Sequence, residues 1–159
     1  MNTIDLTLLK HAVDIAKRAR QNGNHPFGAL LTGPEGDVLL EAENSVVTTK
    51  DCTGHAETNL VRLASRDFDR EFLARCSLYS STEPCVMCSG AIYWSGIGRV
   101  VYALSEAGLY QIVASDPQNL TMSLPCREVF SRGQRTIQVE GPVDIPEAIA
   151  VHQGFWNNK

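Results

Sequence analysis

The sequence predicts an α/β protein, in which a five-stranded mixed sheet carries helices on both faces and forms a single domain over residues 1–159. From residue 55 onward, short apolar runs alternate with segments of helical periodicity, which predicts crossover connections and parallel strands. Before that point, residues 33–37 join two apolar runs through a turn rich in glycine and proline, which predicts one antiparallel hairpin. The expected order of elements is α-β-β-α-β-α-β-α-β-α.

The elements of the first half follow from local pattern. An amphipathic helix is expected over residues 5–20, and it stops near Gly23, a residue that suits a left-handed cap. The hairpin strands are expected over residues 27–31 and 38–42. A second helix is expected over residues 55–65, because four apolar residues fall on one of its sides at helical spacing. These residues are Ala56, Leu60, Leu63 and Ala64.

In the second half, a strand is expected over residues 76–80. Pro84 suits a first helical position, so it begins a helix that extends through Trp94. Gly96 interrupts this helix, and the β-branched segment over residues 99–103 predicts the fourth strand.

The last third of the chain has a weaker pattern. Residues 106–133 are expected to form a short helix and a long loop. Residues 135–139 predict the fifth strand. Pro146 then opens a last helix that is expected to reach Asn157.

The composition is that of a globular protein that does not cross a membrane. Hydrophobic residues make up 43% of the chain, and no apolar run approaches the roughly 18 residues of a membrane span. Residues 1–20 mix charged and apolar side chains, unlike a signal peptide. We therefore expect a cytoplasmic protein. The net charge of −4 argues against a nucleic-acid partner, since such proteins usually present a basic face.

Two thiols three residues apart give the strongest chemical signal. The segment TEPCVMCSG places Cys85 and Cys88 directly after a proline, and five cysteines cannot all pair within one chain. Such thiols could form a redox disulfide, hold a structural zinc or hold a catalytic zinc. His55, in the upstream segment TGHAE, supplies a third residue of the types that zinc binds. A structural site would need a fourth ligand, for which the options are Cys52, Cys76 and His25.

Glu57 favours the catalytic alternative. It lies two residues after His55, near a predicted helix start, where a carboxylate can sit beside a metal without being a ligand. Zinc lowers the pKa of a bound water to about 7, and a neighbouring carboxylate can take the water's proton and return it to a leaving group. The combination of His-x-Glu with Pro-Cys-x-x-Cys therefore predicts a hydrolytic zinc site.

The same two motifs are typical of zinc deaminases. The chain resembles the cytidine deaminase superfamily, in the branch that holds bacterial guanine deaminases, fungal-type cytosine deaminases and tRNA adenosine deaminases. The resemblance extends from about residue 8 to residue 108, and the last helix is consistent with it. The matching segments are residues 26–29, Asn44, 55–57, 83–88, 90–94 and 97–102.

The resemblance implies a cytidine-deaminase-like three-layer α/β/α fold and one Zn²⁺ per chain, bound by His55, Cys85 and Cys88. Glu57 would shuttle the proton while water attacks a carbon that bears an exocyclic amine, and ammonia would leave. The substrate would be a small-molecule base or nucleoside of nucleobase metabolism and salvage, and the protein would be a homodimer. The residues implied in substrate binding are Asn44, Ala56, Phe27, Trp94 and Trp156.

The sequence leaves the substrate open. Residues 90–94 are most similar to guanine deaminases, which follow Glu-Ala-Gly with an acidic, aromatic segment, but here no acid follows Glu106 until Asp116. Cytosine, adenine, a nucleoside and a pterin- or triazine-like ring are alternatives. Adenosine in tRNA is another, although the last helix carries Glu147 and no arginine. The non-enzymatic alternative is a zinc-stabilised scaffold that binds a base without turning it over.

Overall fold

A computed structural model describes residues 1–113 and 116–156. Within these ranges, no helix combines the length and the apolar character that a membrane crossing requires. The elements in chain order are α1 (Thr3–Gln21), β1 (Gly28–Thr32), β2 (Val38–Glu43), α2 (Val46–Thr49), α3 (Ala56–Asp67), α4 (Arg70–Leu73), β3 (Ser77–Thr82), α5 (Val86–Ser95), β4 (Arg99–Leu104), α6 (Glu106–Val113), α7 (Cys126–Ser131), β5 (Gln138–Glu140) and α8 (Pro146–Ala150).

The strands form one mixed sheet in the order β2-β1-β3-β4-β5, which confirms the predicted five-stranded α/β class. The prediction of a single antiparallel pair is wrong. β1 is antiparallel to both neighbours, with Ala29 opposite Ala42 of β2 and Ser80 of β3, whereas β3, β4 and β5 pair in parallel. The helical crossover from β2 to β3 does join strands of one direction, but β1 lies between them.

Helices cover both faces of the sheet in the three-layer arrangement that was expected. Alternate strand residues point to opposite faces. Leu30 and Val101 pack with α1, α6 and α8, and Leu31 and Val100 pack with α3, α5 and α7. α1 lies directly on the start of β1, because a Cβ at Gly28 would come within 2.5 Å of the α1 backbone.

The sequence located most of the helices, with shifts at their ends. The predicted helix starts at residue 55 and Pro84 lie slightly too early, because His55 and Cys85 are extended N-cap residues of α3 and α5. α5 ends at Gly96 as expected, in a left-handed conformation with φ 98°. The described part of residues 106–133 holds two helices, α6 and α7, where one was expected.

The predictions for the last third needed the most correction. The fifth strand covers only Gln138–Glu140 instead of residues 135–139. Arg135 serves a different purpose, since its guanidinium donates to the carbonyls of Ile92, Tyr93 and Ile97 and so satisfies the end of α5. The last helix ends at Ala150 and gives way to turns, and Asn157 lies outside the described residues.

Candidate active site

The candidate site lies at one end of the sheet, where the strands β2, β3 and β4 finish and β1 begins. This end is the usual position for a ligand in an open α/β sheet. The connections that leave it carry Asn44 after β2, Cys85 after β3 and Glu106 after β4, and Phe27 precedes β1. Residues that are far apart in the chain are thus brought around one cavity.

Two helix N-termini position the candidate metal ligands. His55 and Cys85 are the N-cap residues of α3 and α5, and Cys88 follows in the first turn of α5. The Nδ1 atom of His55 lies 3.5 Å from the sulfur of Cys85 and 3.6 Å from that of Cys88. Zinc bonds of about 2.3 Å to sulfur and 2.0–2.1 Å to nitrogen at tetrahedral angles would place these atoms about 3.6 Å apart. The three residues therefore fit a zinc ion.

The cluster has the ligand number of a catalytic zinc site. His55, Cys85 and Cys88 offer ligand atoms that all lie within 4.8 Å of one another. Among the described residues, the options for a fourth ligand, Cys52 and His25, border the cavity without joining this group. Cys76 is buried elsewhere, where its thiol donates to a carbonyl. Three protein ligands leave one zinc position for water or substrate, as catalytic sites require.

The local environment of Cys85 favours a thiolate. The hydrogen bond with Cys88 and the interaction with His55 lower the pKa of the Cys85 thiol to about 4, although burial opposes this effect. The hydrogen bond to Cys85 in turn raises the pKa of His55. The start of α5 also favours negative charge, because unpaired backbone N–H groups point out of a helix N-terminus. A cysteine binds zinc as the thiolate, which is the form that this environment favours at Cys85.

Glu57 lies against the cluster without belonging to it. It is 5% exposed, and its Oε2 atom lies 3.5 Å from the sulfur of Cys88. The Ser80 hydroxyl donates to its Oε1 atom at 2.6 Å and fixes the carboxyl group. Burial raises the pKa of Glu57, which brings it closer to the range in which a carboxyl can both accept and return a proton near neutral pH.

A cavity of about 150 Å³ opens beside these residues. It is lined by His25, Phe27, Asn44, Val46, Cys52, His55, Glu57, Thr82, Glu83, Cys85, Glu106, Leu109, Gln118 and Asn119. A closed cavity of this volume accepts a single six-membered ring such as benzene. The site therefore has the dimensions of a small cyclic ligand.

Asn44 and Phe27 are the predicted substrate-binding residues that line this cavity. The carboxamide oxygen of Asn44 accepts the backbone N–H of Val46 at 3.1 Å, so its side chain also caps the start of α2. In the described part of the chain, its Nδ2 group donates to no protein atom. That group remains available to a ligand in the cavity.

The structure places the other three predicted contacts outside the cavity lining. Ala56 is buried at the first position of α3. Trp94 is 73% exposed on α5, so this chain does not form the predicted pocket wall there. Trp156 packs on Phe27 and His25, with ring centroids 6.1 and 5.1 Å apart, and thus supports the lining from behind.

Sequence reasoning missed Glu106 as part of the site, and it left open whether Glu83 orients the site or is only an acid at a helix start. In the structure, Glu83 accepts the backbone N–H groups of Glu106 and Cys126, both at 2.9 Å. Its carboxylate therefore ties the starts of α6 and α7 to the zinc-binding segment. The unbroken motif TEPC was the one available signal for Glu83, and no local pattern marked Glu106.

The fold and the His-Cys-Cys-Glu arrangement define a zinc-dependent hydrolytic site of the deaminase class. The model for the cytidine and deoxycytidylate deaminase zinc-binding region matches residues 2–104. The chain therefore belongs to this family of zinc-binding deaminases.

Known relatives agree with this assignment. A probable cytosine deaminase of Schizosaccharomyces pombe is 39% identical over 153 residues, which cover 96% of this chain and 93% of the relative. The guanine deaminase of Bacillus subtilis is 42% identical over 98 residues, or 61% of this chain and 62% of the relative. A solved structure from work on tRNA:A34 deaminases has a TM-score of 0.71 at 23% identity, covers 92% of this chain and 99% of its own, and shows the shared fold.

Proposed function

We propose that this protein hydrolytically deaminates a small aminated heterocycle, a free nucleobase or nucleoside, and releases ammonia. The observation that carries the proposal is the cavity of about 150 Å³ that is lined by residues of the His55-Cys85-Cys88 cluster and by Glu57. This volume favours a single-ring base, of which cytosine is the natural example. Similarity to a probable cytosine deaminase over 96% of the chain supports the same choice over a guanine-deaminase-like purine substrate.

The residues of the site would divide the reaction between them. His55, Cys85 and Cys88 would hold the zinc ion, whose chemistry is to activate water at neutral pH. Glu57, fixed by Ser80, would take a proton from the water and deliver it to the ring and to the departing amine. The free Nδ2 group of Asn44 would donate to an acceptor on the ring, and Phe27 would exclude water from one wall.

Ammonia release by the zinc-loaded protein tests the proposal. Cytosine, guanine, adenine, their nucleosides and a pterin are supplied separately, with Glu57→Ala in parallel. We expect release from a small base that is absent in the variant, while zinc content and thermal unfolding are retained. A scaffold that only binds a base would show no release from any compound, and Glu57→Ala would leave its base binding intact.

Adenosine in tRNA is the second candidate, because a structure associated with tRNA:A34 deaminases shares the fold. The net charge of −4 and the small volume of the cavity favour the free base. A tRNA substrate would give inosine in purified tRNA and binding that weakens steeply with added salt. If either of these results is obtained and no free base releases ammonia, tRNA deamination would replace the deamination of a free base as the proposed function.

We also propose that the protein is a homodimer that uses the outer face of α5. Met87 and Trp94 on this face are 37% and 73% exposed, and they lie seven residues apart, on the same side of the helix. Gly90 and Ala91, between them on this side, are half-buried. Sedimentation should show a dimer, and Trp94→Glu should shift it toward monomers without loss of zinc. A wild-type monomer at micromolar concentration would contradict the proposal.

A cytoplasmic location is part of the same proposal. The cysteines at positions 52, 76, 85, 88 and 126 are all free thiols. A reducing compartment keeps such thiols available to zinc. Fractionation of cells that express the tagged chain should place it with soluble cytoplasmic markers, and recovery with an oxidising compartment would contradict this expectation.

A further inference from the structure

Glu106 is a buried carboxyl for which residues 1–113 and 116–156 supply no partner. It is 8% exposed at the first position of α6, and its side chain lines the cavity beside the zinc-binding cluster. In the described part of the chain, its carboxyl accepts no hydrogen bond and forms no ion pair. Among the described residues, the lining of this cavity includes no lysine and no arginine.

The part of the chain that the structure describes offers no cation on the outer side of Glu106 either. Glu83 and Glu106 also border a second, larger cavity of about 590 Å³, and the other described residues around it are uncharged. They are Ala107, Tyr110, Gln111, Thr121, Met122, Ser123, Leu124 and Pro125. Burying a carboxyl without a hydrogen-bond partner is unfavourable. Because Glu106 lines the cavity, a ligand that enters the cavity can supply this missing donor.

The other buried acids make this exception clear. The carboxyl of Glu57 accepts from Ser80, that of Glu83 accepts two backbone N–H groups, and that of Asp5 accepts from Tyr79 and is paired with Arg99. The Asp116 carboxyl accepts the backbone N–H of residue 118. Each of the other buried carboxyls in the described residues therefore has a hydrogen-bond partner within the protein.

The side chain of Glu83 holds the backbone of Glu106 in position and leaves the side chain of Glu106 free. The Glu83 carboxylate accepts the backbone N–H of Glu106 at 2.9 Å, directly before the zinc-binding Pro84-Cys85 segment. The start of α6 is thereby fixed relative to the metal ligands, and the Glu106 carboxyl remains free. This is the arrangement of a side chain that contacts a ligand and is positioned by a neighbour.

Glu106 and Asn44 lie on opposite sides of the site. Asn44 follows β2 and Glu106 follows β4, and the strands β1 and β3 run between them. Three strand spacings separate the two backbones by about 14 Å. A planar ring between the two side chains would meet the donor Nδ2 group of Asn44 at one edge and the acceptor oxygens of Glu106 at another.

We propose that Glu106 determines specificity by accepting a hydrogen bond from a ring N–H of the substrate. This inference rests on the proposed deamination of a small heterocycle and narrows its substrate class to free bases. A ring nitrogen that carries a sugar or a methyl group has no N–H to donate, so nucleosides leave the buried carboxylate unpaired. The selectivity then comes from the unsatisfied acceptor as much as from the size of the sugar.

The experiment compares cytosine with 1-methylcytosine, which differ at the ring N–H and little in size. In the wild type, we expect kcat/KM for cytosine to exceed that for 1-methylcytosine by roughly 100-fold or more. Glu106→Leu should lower kcat/KM for cytosine by roughly 10- to 100-fold and leave 1-methylcytosine unchanged or improved. Glu106→Gln, which keeps an acceptor oxygen, should fall between the two, and zinc content should not change.

A binding measurement makes the test independent of turnover. Calorimetric titration of cytosine into Glu57→Ala should give a tighter complex than titration into the Glu57→Ala, Glu106→Leu double variant, and 1-methylcytosine should not distinguish them. An equal loss for both compounds would assign Glu106 a structural role and overturn the inference. If Glu106→Leu does not fold, the ratio of kcat/KM for cytosine to that for 1-methylcytosine is measured with Glu106→Gln instead. A ratio equal to that of the wild type would then overturn the inference.

The two proposals fail differently. A wild type that releases ammonia from cytosine but does not prefer it over 1-methylcytosine would retain the deaminase and overturn the role of Glu106. A wild type that releases no ammonia from any free base would overturn the proposed function. In that event, cytosine binding that weakens in the Glu106→Leu variant would still support a contact between Glu106 and the base. Cytosine binding that does not depend on Glu106 would overturn the contact as well.

Discussion

The zinc-binding wall and the wall that carries Glu106 are built in different ways. His55, Glu57, Cys85 and Cys88 occupy two short segments at the starts of α3 and α5. The wall that carries Glu106 also includes Gln118 and Asn119, which follow it in the chain. The comparison indicates that local motifs encode the metal cluster, whereas long-range packing encodes the rest of the cavity lining.

The zinc-binding wall should be the more sensitive of the two in turnover. Glu57→Gln removes the proton carrier but keeps the shape and the hydrogen bond to Ser80, so we expect turnover to fall by about 10²- to 10⁴-fold. Zinc content, measured by atomic emission, should stay at one ion per chain.

Glu71→Gln, at an exposed glutamate of α4, is the matched control and should retain full turnover. A Glu57→Gln protein that remains active within a factor of three would remove the carboxylate from the chemistry. The comparison between the two walls would then lose its basis.

The two walls were unequally predictable from the sequence. His55, Cys85 and Cys88 could be predicted because ligand type and spacing within two segments already specify a zinc site, and the cluster fits zinc. Trp94 illustrates the opposite case. Its aromatic side chain and its position on the zinc-binding helix predicted a pocket wall, but helix orientation, which no motif reports, leaves it 73% exposed.

The fold shows the same division. β-branched runs and glycines located most of the helices and strands, but pairing depends on tertiary contacts, and β1 was not expected between β2 and β3. Arg135 lay in a predicted strand, yet its side chain satisfies carbonyls at the end of α5. The importance of Glu106 could not be predicted from the sequence. It depends on the absence of hydrogen-bond and ion-pair partners around the carboxyl in the described structure, and no motif reports such an absence.

Glu83 joins the two walls, and its removal should separate their contributions. Glu83→Ala leaves the backbone N–H groups of Glu106 and Cys126 buried without an acceptor, so we expect the free energy of unfolding to fall by about 4 kcal/mol. Urea denaturation measures this change. In the folded fraction, KM for the base should rise more than kcat falls, because α6 loses its fixed position.

Glu83→Gln keeps one acceptor oxygen and should lose about half as much stability. Equal losses for the two variants would show that the charge of Glu83, and not its pair of hydrogen bonds, is what matters. A loss of zinc from either variant would place Glu83 with the metal ligands instead of between the walls.

His152 lies behind the wall that carries Phe27 and should make the fold sensitive to acid. It is 1% exposed, accepts the Trp156 indole N–H through Nδ1, and has a pKa that burial lowers from 6.5 to about 4. In the unfolded chain, the His152 imidazole binds a proton below about pH 6.5. In the folded chain, it binds a proton only when the pH falls to about 4. Stability from this group is therefore complete above pH 6.5 and falls by about 3 kcal/mol as the pH drops to 4.

Urea denaturation from pH 7 to pH 4 checks this effect against His152→Gln, which cannot titrate at that position. Whatever the overall stability of the variant, its profile should be flatter than that of the wild type by about 3 kcal/mol over this range. Parallel profiles would show that His152 is protonated in the fold at neutral pH or is open to solvent.

The smallest expected effect comes from two hydroxyls on one face of β3. Ser80 donates to Glu57, whereas the buried Oγ1 atom of Thr82, at the cavity, has no partner in the described residues. Thr82→Val removes an unsatisfied group at constant shape, so we expect the free energy of unfolding to rise by up to about 1 kcal/mol. Ser80→Ala should instead lower both stability and turnover. If Thr82→Val is more stable but binds the base more weakly, the site gives up stability at Thr82 to keep a ligand contact, as we propose for Glu106. If base binding is unchanged, the loss of stability in favour of ligand binding is limited to Glu106.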